Sequence, residues 1–304
     1  MQDHIVRATA ASSMIRAIAA VTTDTIEEAR RRQDTYPTAT AALGRVMTGA
    51  ALIASTLKDG NKVTVQIKGD GPLREVTGDA DAKGNVRGYV GRPHIHLPSR
   101  AGKLDVGRAV GTNGILSVVK DVGLREPYRG IVPLVSGEVG EDISYYYASS
   151  EQQPSAVALG VLVVPDNSVA AAGGYIVQPL VGADDRVLSK VEENISKIPP
   201  VSDMVNIGLN AEEMLQNALE GLDIEFEEKQ DLQFTCGCSR ERAERTLIVL
   251  GVREVKEMIL EGKNVELTCN FCGESYIFSI EDLHRVLEEI KERSGLKVVT
   301  DDGS

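Results

Sequence analysis

The stretch TYPTATAALGRVMTGAALIASTLK, residues 35–58, decides the fold of the first half of the chain. Its apolar side chains recur every three to four residues from Leu43 to Leu57, which is the spacing of one helix face. Pro37 stands near the start of the stretch, where a helix tolerates proline. Because small residues fill most other positions, every face of this helix can be buried. The stretch therefore predicts a long central helix enclosed by other elements.

Strand patterns lie on both sides of this helix. Residues 4–11 and 14–22 read as two strands around a Ser12–Ser13 turn, and a polar helix is predicted from Thr25 to about Arg32. Beyond the central helix, Val63, Val65 and Ile67 alternate with polar residues, which predicts a strand. Further strands are predicted at 73–79, 86–90, 115–121, 128–134, 143–148, 156–164 and 168–177. Runs of strands with few helices between them favour antiparallel sheets. We therefore expect an α+β domain over residues 1–178, with its sheets packed on the central helix.

A change in composition at residue 179 marks a linker that runs to residue 231. Residues 184–231 are acidic and predicted helical, with two prolines at 199 and 200 in the middle. An apolar stripe includes Val187, Val191 and Ile195, and Asn210 with Glu213 is predicted to cap a later helix. At rest these helices are expected on the surface of the first domain. A connector this long and charged could also undock as a unit.

The last module is predicted over residues 232–293, with a frayed tail at 294–304. Its predicted elements are a cysteine pair, a helix over 240–250, a short helix over 254–260, a β-hairpin with a second cysteine pair, and a terminal helix from about residue 281. Ser239 and Ser279 are predicted N-caps of the outer helices. We expect this module to be a small α+β unit.

All four cysteines of the chain lie in this module, at Cys236, Cys238, Cys269 and Cys272. The Cys-x-Cys and Cys-x-x-Cys pairs supply the four soft ligands that zinc takes in a tetrahedral site. A module of this size buries little core, so metal binding is expected to supply much of its folding energy. The spacing leaves open whether the zinc is only structural or also a redox switch. Cys-x-Cys departs from a plain zinc ribbon, and its sulfurs are close enough to be joined by oxidation.

The composition of the chain argues against some classes of binding partner. The 304 residues carry a formal net charge of −12, which argues against nucleic acid and anionic membranes as main partners. No apolar run reaches the length of a membrane span, and charges interrupt the N-terminal segment where a signal peptide needs an apolar stretch. We therefore predict a cytoplasmic location, where thiols stay reduced and clustered cysteines bind metal or perform redox work. His94 and His96 are interpreted as surface-loop residues, and no catalytic triad is predicted.

CGCSRER at 236–242 and CNFCGESYIF at 269–278 closely resemble the 33 kDa chaperonins of the HslO family, which are redox-switched heat-shock holdases. The resemblance extends to the N-terminal domain through the central-helix stretch, GDGPL, GNVRGYV, AVGTNGILSVVKD, SSEQQPSAVALGVLV and AAGGYIVQPL, in that order. It covers residues 3 to about 290, with no departure at any cysteine.

This resemblance implies a non-enzymatic chaperone with one Zn²⁺ held by Cys236, Cys238, Cys269 and Cys272 in an inactive, reduced form. Oxidation would form Cys236–Cys238 and Cys269–Cys272 disulfides, release zinc, and unfold the last module and then the linker. The activated protein would dimerise, bind unfolding clients without ATP, and pass them to a DnaK-type chaperone system.

Two other classes stay open on the residues alone. A constitutive zinc-knuckle protein, for example one that binds RNA, would need a basic surface beside the knuckle and zinc that survives mild oxidation. A thiol–disulfide oxidoreductase would favour Cys-x-x-Cys at a helix N-terminus in a βαβ setting, whereas Cys269 and Cys272 are predicted on a hairpin.

Overall fold

The computed structural model describes residues 1–294, which form two compact units, Met1–Thr235 and a second that begins at Cys236. The division into 1–178, 179–231 and 232–293 stays a prediction. The predicted tail at 294–304 lies, beyond its first residue, outside the described residues. Among the residues described, no helix is long and apolar enough to cross a membrane.

The first unit alternates strands and helices and ends with three helices and three short strands. Its elements in chain order are β1 (His4–Ala10), β2 (Ile15–Val21), α1 (Thr23–Gln33), α2 (Pro37–Ala54), β3 (Lys62–Gly69), β4 (Glu75–Asp81), β5 (Asn85–Val90), α3 (Val106–Val110), β6 (Gly114–Asp121), β7 (Tyr128–Pro133), α4 (Gly140–Ser149), β8 (Ala156–Val163), β9 (Val169–Pro179), α5 (Asp185–Lys197), α6 (Val201–Asn206), α7 (Ala211–Ala218), β10 (Ile224–Phe226), β11 (Gln230–Asp231) and β12 (Gln233–Phe234).

Two six-stranded sheets enclose helix α2. The first has the order β10-β1-β2-β9-β8 with β11 also paired to β1, and the second has the order β12-β5-β4-β3-β6-β7. All pairings are antiparallel except the parallel β12–β5 pair. Helix α2 contacts β2, β8 and β9 of one sheet and β3, β4 and β5 of the other. The predicted α+β fold with a central apolar helix is confirmed.

Small residues let α2 approach its neighbours closely. Every residue of the helix except Pro37 and Arg45 is buried. A Cβ at Gly44 would stand 2.8 Å from both Ile26 of α1 and Val161 of β8. The absence of a side chain at this position therefore sets how tightly the helix and its surroundings can pack.

The first sheet is buried on both faces, because side chains alternate between two apolar clusters along its strands. Ile5 and Ile18 face the cluster around α2, whereas Val6 and Ala17 face a second cluster. Helices α5, α6 and α7 complete that second cluster with the side chains Val191, Val201, Met204, Val205, Ala211, Met214, Leu215 and Ala218. The acidic segment after residue 179 thus lies with its apolar stripe on the first sheet.

Two predicted elements were wrong. Residues 143–148, predicted as a strand, lie in helix α4, where Ile143, Tyr146 and Tyr147 share the buried face at helical spacing. The Asp142 carboxylate accepts backbone hydrogen bonds from Val135, Ser136 and Val139, and so fixes where that helix starts. The end of the predicted helical segment, from residue 224, instead adds β10 and β11 to the open edge of β1.

The second unit contains α8 (Arg240–Leu250), α9 (Val252–Leu260), the hairpin β13 (Val265–Thr268) and β14 (Ser275–Phe278), and α10 (Ile280–Ser294). These elements share a small apolar core around Leu247, Val255 and Phe278. Both predicted caps are present. Ser239 Oγ accepts from Arg242 N at 3.3 Å, and Ser279 exchanges hydrogen bonds with Asp282. The predicted order of elements in this module is confirmed.

Candidate metal centre

The four cysteines converge although 30 residues separate the two pairs. Cys236 and Cys238 lie in the extended segment before α8, Cys269 follows β13, and Cys272 precedes β14. Their Sγ atoms all lie within 4.8 Å of one another. Within residues 1–294 this is the one group of three or more Cys, His, Asp or Glu side chains placed to hold a metal ion. Positions far apart in the sequence therefore form a single site.

A tight turn positions the second pair. Cys269 N donates to Glu274 O at 2.8 Å, and Gly273 N donates to Cys269 O at 2.9 Å. Gly273 has a φ of +71°, a left-handed conformation that favours glycine. These bonds direct the Cys269 and Cys272 sulfurs to the same side of the hairpin end.

The sulfur positions fit a tetrahedral metal ion. Four thiolates about 2.3 Å from zinc stand about 3.8 Å from one another. The Sγ–Sγ distance is 3.8 Å for Cys236–Cys269 and 3.2 Å for Cys238–Cys272. Small movements of the side chains would therefore bring all four sulfurs to the corners of a tetrahedron. Four soft sulfur donors also exclude the hard cations Mg²⁺ and Ca²⁺ as preferred ions.

Burial and hydrogen bonding shift the pKa values of Cys236, Cys238 and Cys272 in different directions. Burial raises the pKa of Cys236 and, more strongly, the pKa of Cys272, which is the least exposed of the four. Burial also acts to raise the pKa of Cys238, but hydrogen bonds led by that of Tyr276 outweigh it and lower this pKa. The Tyr276 hydroxyl donates to Cys238 Sγ at 3.2 Å. Within the Cys-x-Cys pair, Cys238 is thus the thiol that most readily becomes a thiolate.

The arginines after the first pair have separate roles. The Arg240 guanidinium donates to Ile277 O and Asp282, and its carbon lies 4.4 Å from the centre of the Phe278 ring. It therefore ties α8 to the hairpin and α10. Arg242 lies beside Gly237, where a Cβ would stand 3.2 Å from its Nη1. Sequence reasoning did not identify Tyr276, whose signal is only its place four residues after Cys272.

His94 and His96, which the sequence analysis interpreted as surface-loop residues, belong to the first unit. His94 and His96 are exposed in the loop after β5. His94 Nε2 stands 3.1 Å from Asp34 Oδ2, and both side chains are open to solvent. A single exposed pair of this kind contributes little stability.

Comparison with known proteins agrees with this combination of fold and site. The family model described as "Hsp33 protein" matches residues 3–279. A 33 kDa chaperonin of Halalkalibacterium halodurans is 50% identical over 290 residues, which are 95% of this chain and all of the relative. The 33 kDa chaperonin of Bacillus subtilis is 47% identical over 288 residues, 94% of this chain and 99% of the relative.

A solved structure of a 33 kDa chaperonin has the same fold as this chain. The crystal structure of the 33 kDa chaperonin (heat shock protein 33 homolog) of Thermotoga maritima superposes with a TM-score of 0.89. The two chains are 35% identical, and the match covers 96% of this chain and all of the other. The fold and the four-thiol module define a heat-shock chaperone. The chain belongs to the Hsp33 family, as its sequence motifs predicted.

Proposed function

We propose that this chain is a redox-regulated, ATP-independent holdase whose reduced, zinc-bound form is inactive. The observation that carries the proposal is the convergence of all four cysteine sulfurs within 4.8 Å in a unit with a small apolar core. Among the residues of that unit that the structure describes, seven apolar side chains form the buried cluster. A core this small gives limited stability, so the fold of the unit depends on the bonds made through its thiols.

Zn²⁺ held by Cys236, Cys238, Cys269 and Cys272 would supply four metal–sulfur cross-links and keep the sulfurs as thiolates, the form that oxidants attack. For each pair, one thiolate attacks a peroxide oxygen, the O–O bond breaks, and hydroxide leaves. The second thiolate then attacks the sulfenic sulfur, a disulfide forms, and a second hydroxide leaves. With two protons, the products are one disulfide and two waters. Cys236–Cys238 and Cys269–Cys272 are the proposed disulfides, which remove the thiolates that zinc requires.

Loss of the second unit would then affect the helices before it along the chain. The end of the first unit is held by the short strands β10, β11 and β12, and Thr235 of that unit directly precedes Cys236. Release of α5, α6 and α7 would uncover the apolar side chains that now meet the first sheet. An exposed apolar area of this kind is what binds unfolding polypeptides, and the acidic residues around it favour solubility.

Family membership supports the remaining parts of the proposal. The clients are unfolding proteins, the active form is a homodimer, and clients pass to a DnaK-type chaperone system. The protein acts in the cytoplasm and has neither nucleic acid nor membrane as a partner. It is a binding protein and not an enzyme.

The test couples zinc release to client protection in one sample. Reduced, zinc-loaded protein is treated with peroxide at heat-shock temperature, and released zinc is followed with a colorimetric chelator. Light scattering from a thermally aggregating client is recorded without ATP. The proposal expects zinc release and suppressed scattering together, with reversal by a thiol reductant. Zinc that stays bound, or leaves while aggregation continues unchanged, contradicts it and favours a constitutive zinc knuckle.

A further inference from the structure

The second unit contains one tyrosine, and its hydroxyl is directed at the metal centre. Tyr276 lies on β14, paired with Leu267 of β13, and its ring packs against the apolar cluster of this unit. Its hydroxyl donates to Cys238 Sγ at 3.2 Å, within the range for a hydrogen bond to sulfur. The hairpin and the apolar cluster thus hold this donor in place.

We propose that Tyr276 is a positioning residue that slows oxidation of Cys238 and directs the first attack by peroxide to another sulfur of the centre. This inference rests on the proposed redox function. It specifies which thiolate is protected from peroxide and which side chain sets the rate of zinc release.

The physical reason is the distribution of charge on sulfur. Oxidation begins when a sulfur lone pair attacks a peroxide oxygen, so its rate follows the electron density available on that sulfur. A hydroxyl that donates to a thiolate withdraws part of this density, as hydrogen bonds to metal-bound sulfur generally do. Because bound zinc would keep all four sulfurs as thiolates, donation by Tyr276 adds no thiolate at Cys238 and instead makes its sulfur a weaker nucleophile.

Access does not account for such a difference. Cys236, Cys238 and Cys269 are all partly exposed, whereas Cys272 is buried, so peroxide can reach three of the four sulfurs. The Arg240 guanidinium is bound to Ile277 O and Asp282 and does not serve as the donor to Cys238. Cys236 accepts a hydrogen bond from the backbone N–H of Cys238. Cys238 differs in that it accepts from a side-chain hydroxyl outside the four cysteines, that of Tyr276.

Tyr276→Phe removes the hydroxyl and keeps the ring in the apolar cluster. Tyr145→Phe is the matched control, because Tyr145 is an exposed tyrosine on α4 in the other unit. Both reduced proteins are first shown to hold one zinc, and zinc release is then timed with a chelator under excess peroxide. We expect Tyr276→Phe to release zinc about 3- to 10-fold faster than wild type, since a hydrogen bond to a charged acceptor is lost. The control should match wild type.

A second measurement uses wild type and does not depend on how the variant folds. After a short peroxide pulse, sulfenic acids are trapped with a dione reagent and located by mass spectrometry. We expect Cys238 to carry the smallest share of label among the three accessible cysteines. In Tyr276→Phe that share should rise.

Two outcomes overturn the inference while the proposed function stands. One is a release rate for zinc-loaded Tyr276→Phe equal to that of wild type. The other is a wild-type protein in which Cys238 takes the first label. If peroxide releases no zinc from wild type, the proposed function fails, and the role of Tyr276 fails with it.

Discussion

Leu215 of α7 offers a direct way to loosen the helices that cover the first sheet. Its side chain is 0% exposed and lies in the cluster formed with β1 and β2. Leu215→Ala removes three buried carbon atoms and leaves a cavity, which costs about 3 kcal/mol. If docked α7 bears that cost, the equilibrium between docked and released helix shifts by roughly 100-fold.

The assay is light scattering from a thermally aggregating client with reduced, zinc-loaded protein and no ATP. We expect Leu215→Ala to suppress part of the aggregation before any oxidant is added, whereas wild type does not. Ile207→Ala is the control within the same segment. Its side chain is 72% exposed, so the truncation changes stability by no more than about 0.5 kcal/mol.

Hydrogen exchange on the same samples shows whether the perturbation had its intended effect. Amides of α7 should exchange faster in Leu215→Ala than in wild type, while amides of α2 should keep their protection. A variant that loosens α7 in this way and still gives no protection to the client would refute the link between these helices and chaperone activity.

Three further perturbations test separate parts of the structure. Removal of zinc from the reduced protein with a strong chelator should expose the amides of α8, α9 and α10 to rapid hydrogen exchange and leave those of α2 protected. Equal protection of α8–α10 with and without zinc would contradict a second unit that depends on the metal. The Glu212 carboxylate lies 3.1 Å from His4 Nε2. Burial acts to raise the pKa of Glu212, but hydrogen bonds, including the one with His4, and nearby positive charge outweigh burial and lower this pKa. Because the folded-state pKa lies below the unfolded value, this carboxylate stabilises the fold above about pH 4.3 and ceases to do so as pH falls through the folded pKa. Hydrogen exchange at α7 should therefore rise below about pH 4 in wild type. Glu212→Gln should not show this rise. Asp142→Ala removes the acceptor of three backbone N–H groups and should lower the free energy of unfolding by about 2 kcal/mol in urea titrations. An unchanged urea concentration at the midpoint of unfolding would contradict this role of Asp142.

Features set by local sequence were predicted well. The spacing of apolar and small residues in 35–58 identified α2, because a helix buried all round needs both. Asn210 with Glu213 and Ser239 were recognised as caps, since these contacts span only three residues. The four-cysteine centre was also predicted, because zinc chemistry restricts the residue type and spacing of its ligands.

Features set by tertiary contacts were not predicted. Residues 143–148 are rich in tyrosine, which favours strands, but burial of Ile143, Tyr146 and Tyr147 on one side selects the helix. Strand β10 forms because the edge of β1 is available to it, and nothing local in 224–226 indicates that partner. The hydrogen bond from Tyr276 to Cys238 depends on the hairpin fold, so its sequence position alone did not mark it.

In the proposed mechanism, the redox state of the four thiols controls whether α5, α6 and α7 cover the first sheet. Hydrogen exchange with mass spectrometry compares the reduced, zinc-loaded protein with the same protein after peroxide treatment at heat-shock temperature. We expect oxidation to remove protection from α8–α10 and from α5–α7, while α2 and strands β3–β6 keep theirs. If oxidation forms both disulfides and α5–α7 stay as protected as in the reduced protein, the thiols do not control these helices.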